Sequence, residues 1–240
     1  MIKKHTIIIS DDMSSDNTRK IIKYYAEKYS DVIKDISNDV NKGFSGNLRY
    51  CLDHVHTEYV EILEGDDYYS SPDKIQIQAH RLSLHPEYMM VFSKLEIFDA
   101  ETLKSSYLAR QLKLSDSVGI DDFLNEPSLN LIANFTSCMF RTYLLKNLLS
   151  PRAFQPRLTE MAVAFTALKY GKIGYIDIPL NVYRMHQGSL WTGKSKLEKL
   201  KEGCEVRKTL RAISGIKRLD SIIEDYERQI EHEEANARGE

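Results

Sequence analysis

The chain has 240 residues, 42% of them hydrophobic and 28% charged, which excludes general disorder and suffices for one large α/β domain. Its 33 basic and 35 acidic residues leave a formal charge of -2, so there is no electrostatic case for nucleic acid as a partner. No apolar run approaches the roughly 18 residues of a spanning helix, and MIKKHTIIISDD runs from a few apolar residues straight into acid, so neither a signal nor a transit peptide is expected.

His5 to Ser10 is a β-branched run ended by acids, as expected of a buried parallel strand. After the turn cluster Asp11–Asp16, Asp16 can cap a helix over 18–29, where Ile21, Ile22 and Tyr25 recur at helical spacing. A strand over 32–37, a polar glycine-containing loop over 38–47 and a helix over 48–54 follow, the last with Leu48, Cys51, Leu52 and Val55 on one face. Glu58–Leu63 alternates into a third strand that ends on Glu64-Gly65-Asp66-Asp67. Pro72 opens a helix to about His85, Pro86 stops it, and 88–98 is again strand-like.

Ser105–Ser117 reads as a polar loop and 119–124 as a short helix. Beyond them come a strand over 134–140, a helix over 142–149, a loop over 152–158, a helix over 159–170 and a last strand over 172–178. Residues 196–230 carry Leu197, Leu200, Val206, Leu210 and Ile213 at helical spacing, one or two amphipathic helices. The alternation of strand and helix with short loops predicts an α/β fold with a mostly parallel, Rossmann-like sheet covered on both faces. Two domains are drawn on this basis, residues 1–192 for the sheet and 193–240 for a C-terminal helical extension. The three cysteines, Cys51, Cys138 and Cys204, make no CxxC pattern and read as buried thiols of a reducing cytoplasm.

In an open α/β sheet, ligands collect beyond the carboxyl ends of the strands. Acids stand at two such ends here, Asp11/Asp12 and Glu64/Asp66/Asp67. Clustered carboxylates repel one another unless a cation or a set of donors neutralises them, and oxygen-rich sets suit Mg²⁺ or Mn²⁺. The chemical reading is an ion bridging protein to diphosphate; the plain reading is solvated turn acids.

The runs TIIISDDMSSDNTRKIIKYYAEKY, NKGFSGNLRYCL, EYVEILEGDDYYSSPDKIQIQ, TSCMFR and YGKIGYIDIPLNVYRMHQGSLWTGKSKLEKLK resemble, in order and spacing, glycosyltransferase family 2. The resemblance implies a GT-A fold and inverting transfer of a sugar from a nucleotide-diphosphate donor, and EGDDYY and LWTGKS resemble the bacterial branch that builds capsule, O-antigen and other surface polysaccharides. Position by position, Asp11 and Asp12 match the family's first acidic pair, which contacts the base, while Asn41, Gly43 and Asn47 fall in the loop lining base and ribose. Asp66 and Asp67 fall on the DxD-type metal motif, with Glu64 where many relatives carry aspartate. His186 and Arg184, in YRMHQGS, are implied to contact metal or diphosphate, with packing at the sheet edge the alternative for Arg184.

Inverting transfer to an alcohol needs a carboxylate near the acceptor hydroxyl. The resemblance places it at the start of the helix before KYGKIGYI, at Glu160, with an ordinary helix-start acid as the alternative. Trp191 reads as a stacking platform for an acceptor sugar or as an anchor for the C-terminal helix, and His5, His54, His56, His80 and His85 as surface groups. The implied partners are a nucleotide-sugar, UDP-linked by base rate, a glycan or lipid-linked acceptor, and Mn²⁺ or Mg²⁺ as cofactor. The implied location is cytoplasmic, with the inner face of the membrane open to the C-terminal helices.

Relatives in the family carry a further strand and helix before the segment that opens this chain. The expectation for residues 1–240 is therefore weak turnover and self-association through the edge of HTIIIS. A catalytically impaired sugar-nucleotide or glycan-binding module is the alternative function, and a Mg²⁺-dependent phosphotransfer domain a more distant one.

Overall fold

A computed structural model describes residues 5–107, 116–125, 130–148, 158–186 and 193–238. The chain forms two compact units, Met1–Val60 with Arg141–Leu158, and Glu61–Phe140 with Thr159–Glu240.

The first unit holds β1 (Ile7–Ile9), α1 (Thr18–Lys28), β2 (Ile33–Asp35), α2 (Gly43–Asp53) and the beginning of β3 (Tyr59–Glu61). β1 and β2 are parallel, with Ile7 opposite Ile33 and Ile9 opposite Asp35. Asp16 does serve the start of α1, accepting the Thr18 N–H at 2.9 Å. Of the apolar residues on that helix only Ile22 is buried; Ile21, Tyr24 and Tyr25 face solvent. α2 starts at Gly43 rather than at Leu48. The polar run before it supplies what a helix start requires: Gly43 takes a φ of +67°, and its N–H is accepted by the Asn41 side chain at 3.0 Å. Leu52 and Val55 are buried as expected.

The second unit holds β4 (Tyr68–Tyr69), α3 (Lys74–Leu84), β5 (Tyr88–Asp99), β6 (Lys104–Tyr107), β7 (Ser117–Val118), α4 (Ile120–Asn125), β8 (Cys138–Arg141, the last residue outside the unit), α5 (Glu160–Tyr170), β9 (Lys172–Met185), α6 (Lys196–Ser214) and α7 (Arg218–Arg238). Its strands lie in the order β8-β5-β9-β4, with β6 on β5 and β7 on β9. The longest ladder is parallel, β5 on β9, running from Tyr88 opposite Lys172 to Asp99 opposite Met185. β4, β6, β7 and β8 are antiparallel additions around it. Glycine permits the close approach at its start, since a Cβ on Gly174 would lie 2.6 Å from the Tyr88 ring. Phe123 and Phe165 meet edge to face at 5.8 Å beneath this sheet, both essentially without exposure.

Several elements differ from the sequence reading. β9 runs to Met185, well past residue 178, because the proline at 179 is accommodated by register shifts between Ser93 and Leu95 of its partner. Of the loop expected over 105–117, residues 105–107 belong to β6, Ser117 opens β7, and 108–115 lie outside the described residues. The strand expected over 134–140 opens as a 3₁₀ turn, Phe135–Ser137, and 144–148 form a π-helical turn instead of α-helix. The loop at 152–157 and Trp191 also lie outside the described residues. α6 starts at a capping box, in which the Ser195 hydroxyl accepts the Glu198 N–H and the Glu198 carboxylate accepts the Ser195 N–H, and it ends at Gly215 with φ +73°. Among the described residues no helix is long and apolar enough to cross a membrane.

Candidate functional site

Chemistry-bearing side chains gather in each unit at the end of a strand. In the second unit, the turn after β3 returns as β4, which pairs antiparallel with β9: Tyr68 lies opposite Val182 and Tyr69 opposite Asn181. Carried back along the chain, that register puts Asp66 across from Arg184, and the side chains meet accordingly. Arg184 donates from Nε to the Asp66 carbonyl at 2.9 Å and from its backbone N–H to Asp67 Oδ1 at 3.1 Å. His186 Nε2 lies 3.2 Å from Asp66 Oδ2.

The two aspartates do different work. Asp67 is 8% exposed, and its Oδ2 accepts from Asn134 Nδ2 at 2.6 Å. Burial holds its carboxyl above the ordinary carboxylate value, while the Thr136 hydroxyl and the Arg184 N–H oppose that rise. Asp66 is partly open, with about a third of its side chain exposed, as is His186. Glu64 joins through its backbone, donating to Thr136 Oγ1 at 3.2 Å and accepting the Asp67 N–H at 3.0 Å.

Glu160 is the first residue of α5, half-buried, behind Thr159, whose hydroxyl accepts the Ala162 N–H at 3.2 Å. It stands near enough to Cys138 for its charge to add to the effect of burial, which pushes that thiol well up.

In the first unit, Asp11 is 5% exposed and accepts the Ser14 N–H with both oxygens, at 3.1 and 3.3 Å. Asp12 accepts the Lys42 N–H at 2.8 Å, so it anchors the start of α2. Asn47 closes on the end of β1: its Nδ2 donates to the Ser10 carbonyl at 2.8 Å, and its Oδ1 accepts from Ser10 Oγ at 2.6 Å and Asn38 Nδ2 at 3.2 Å. Lys42 donates from Nζ to Asn38 Oδ1 and lies 4.4 Å from the centre of the Tyr50 ring.

The structure thus brings Asp66, Asp67, Arg184 and His186 together in one unit, and Asp11, Asp12, Asn41, Gly43 and Asn47 around one strand end in the other. Sequence reasoning had assigned no role to Asn134 and Thr136, the donors that hold Asp67, or to Ser10, Asn38 and Lys42, which tie α2 to β1. Asn134 stands 67 positions from Asp67, so no local pattern connects them.

Solved structures give the class of this fold. A crystal structure of Staphylococcus aureus TarS residues 1–349 aligns with 98% of this chain and 82% of its own, with a TM-score of 0.57 at 16% identity. The structure titled mannosyltransferase PcManGT from Pyrobaculum calidifontis in complex with GDP-Man and Mn²⁺ aligns with 85% of this chain and 53% of its own, with a TM-score of 0.53 at 15% identity. The fold is that of GT-A glycosyltransferases.

The sequence profile described as glycosyl transferase family 2 matches residues 2–149, more than half of the chain, and the chain belongs to that family. A Bacillus subtilis relative, the putative glycosyltransferase EpsE, is 38% identical over 97 residues, 40% of this chain and 34% of that protein. The Campylobacter jejuni GalNAc(5)-diNAcBac-PP-undecaprenol beta-1,3-glucosyltransferase is 28% identical over 193 residues, 79% of this chain and 59% of that one. The chain therefore spans about a third of the first relative's length and under two thirds of the second's.

Proposed function

We propose that the chain carries the donor site of a metal-dependent glycosyltransferase that moves a sugar from a nucleotide diphosphate to a glycan or lipid-linked acceptor with inversion. The observation that carries this reading is the pairing of Asp66 Oδ2 with His186 Nε2 at 3.2 Å in a member of this family. A carboxylate and an imidazole this close could both face one divalent ion, and the oxygen ligand suits Mn²⁺ or Mg²⁺. Among the described residues no group of three or more His, Cys, Asp or Glu side chains gathers around a common point. Asp66 and His186 would hold the ion, leaving coordination positions for diphosphate oxygens and water.

Such an ion, when bound, offsets charge on the departing diphosphate as a Lewis acid. The protein's own residues do the rest. The Arg184 guanidinium, already held by the Asp66 carbonyl, offers its remaining N–H groups to phosphate. Asp67 fixes the backbone at Arg184, so the strand end cannot retreat from the donor. By itself, the first unit offers Asp12 and Asn41, at the start of α2, as polar groups for a base or ribose. Glu160, set at a helix start, takes the proton of the acceptor hydroxyl as the anomeric carbon is attacked. The names of the PcManGT complex and of the lipid-linked glucosyltransferase support metal use and a lipid-carried acceptor as the first choices to test.

Incubating the chain with Mn²⁺, UDP- and GDP-sugars and lipid-linked or free oligosaccharide acceptors tests the reading. Transfer lost in Asp66→Ala and Glu160→Gln supports it. Donor binding with no transfer on any acceptor supports the binding module instead, and absence of Mn²⁺ and donor binding by calorimetry overturns both.

A further inference from the structure

Behind the acidic turn lies a buried polar cluster that the chemistry above does not use. Lys74, the first residue of α3, has no exposure at all. Its Nζ lies 3.1 Å from Glu61 Oε1, donates to Gln78 Oε1 at 2.8 Å, and sits 4.5 Å from the centre of the Tyr69 ring. Tyr69 donates its hydroxyl to Glu61 Oε2 at 2.8 Å. Glu61 Oε1 has no aligned hydrogen-bond donor, so the Lys74 charge is what compensates that oxygen. Beyond Gln78 the network continues: Gln78 Nε2 donates to the Ser137 carbonyl at 2.8 Å, Ser93 Oγ reaches the same carbonyl at 3.4 Å, and it donates to Asn181 Oδ1 at 2.8 Å.

The ends of this network are significant. Glu61 is the last residue of β3, just before the acidic turn, and Tyr69 belongs to β4, just after it. Tyr69 and Asn181, the two termini, are also register partners in the short β4–β9 ladder. A ladder of two residue pairs specifies its own register weakly, since few side chains distinguish one alignment from the next. A slip of two residues would keep the faces but carry Asp66 about 7 Å along β9, away from His186.

We propose that Lys74 is a positioning residue for Asp66: through Glu61 and Tyr69 it fixes the register of β4 on β9, and thereby the pairing of Asp66 with His186. That this matters for metal binding rests on the function proposed above. Tyr69→Phe removes only the hydroxyl that joins β4 to the cluster. Lys74→Met removes the charge at similar volume and leaves Glu61 uncompensated.

The test reads the His186 imidazole resonances in metal-free wild type, Y69F, K74M and D66N, with Mn²⁺ calorimetry and thermal melts on the same samples. The expected result is a Y69F protein whose melting temperature stays within about 3 °C of wild type. Its His186 resonances move toward those of D66N, its Mn²⁺ affinity falls about tenfold, and K74M moves in the same direction. Wild-type His186 resonances in Y69F overturn the proposal, whether or not K74M folds. If His186 moves but the wild type binds no Mn²⁺, the positioning role stands and the metal reading falls. If Mn²⁺ binds wild type and Y69F alike with His186 unmoved, the reverse holds.

Discussion

The acidic pair after β1 and the acidic pair after β3 share a division of labour. In each, one aspartate is buried and accepts a backbone N–H, Asp11 at 5% exposure and Asp67 at 8%, while its neighbour stays more open. The order is reversed: the buried member comes first after β1 and second after β3. What the open member meets also differs. Asp12 meets the backbone of Lys42, a fixed neutral donor, whereas the Asp66 carboxylate meets a histidine side chain, and the arginine bonds its main-chain carbonyl. A carboxylate satisfied by a helix-start N–H is suited to orienting a polar ligand. One facing an imidazole at 3.2 Å is suited to sharing a cation with it.

The sharpest way to break this comparison is to remove the open member of each pair. Asp66→Ala should lower turnover about 1,000-fold, since charge stabilisation at the leaving group is lost. Asp12→Ala should cost about tenfold, mostly as a higher KM for the donor. Steady-state kinetics at saturating Mn²⁺ decides between them, and equal losses in kcat would end the distinction.

The buried members can be compared through their supports. Asn134→Ala leaves a buried carboxylate oxygen without its donor and should destabilise by about 2 kcal/mol, a fall of about 4–8 °C in melting temperature for a chain of this size. Ser37→Ala removes the acceptor for the Asp11 N–H, 3.0 Å away, and should cost about 1 kcal/mol. Chemical denaturation read by circular dichroism ranks the two.

The smallest effect concerns an acid outside both pairs. Asp177 is held below the usual carboxylate range first by a hydrogen bond from Lys94 and then by one from Tyr175. The folded state therefore releases this proton more readily than the unfolded chain does. The stabilisation is present above the usual carboxylate value and is lost as pH falls through the lower folded value. Asp177→Asn should melt slightly below wild type at pH 7, with the gap closing as the pH drops below about 4. A gap that stays constant with pH would show that the Lys94 contact is not electrostatic.

Much of the architecture was legible because a β-branched run or an alternating run ended by acids marks a strand, and Ile7–Ile9 and Tyr59–Glu61 fall where those patterns put them; the burial expected of the first does not hold, since Ile7 is 43% exposed and no residue of β1 is fully covered. β4 was not legible, because two tyrosines have no period to read; they become a strand only by lying against Val182 and Asn181. β9 was cut short in the sequence reading because proline normally ends pairing, and the register shifts that absorb it depend on β5. At the site, the acids showed themselves by their position after strands. The Asn134 amide and the Lys74 ammonium did not, since their meaning lies in partners brought close by the fold. Lys74 in particular has no neighbour in the sequence that marks it, yet it is wholly enclosed.

β9 has a consequence for how this sequence can drift. It pairs with β5 along its whole length, its Gly174 lies against Tyr88, and its far end presents Arg184 and, one residue past it, His186. Side chains on a strand alternate faces, so one residue inserted or lost between Leu180 and Arg184 would turn the histidine to the opposite side of the sheet. The irregular stretch around the proline, where the spacing is already uneven, could absorb such a change. Length variation among close homologues should therefore collect there and spare the four residues that follow.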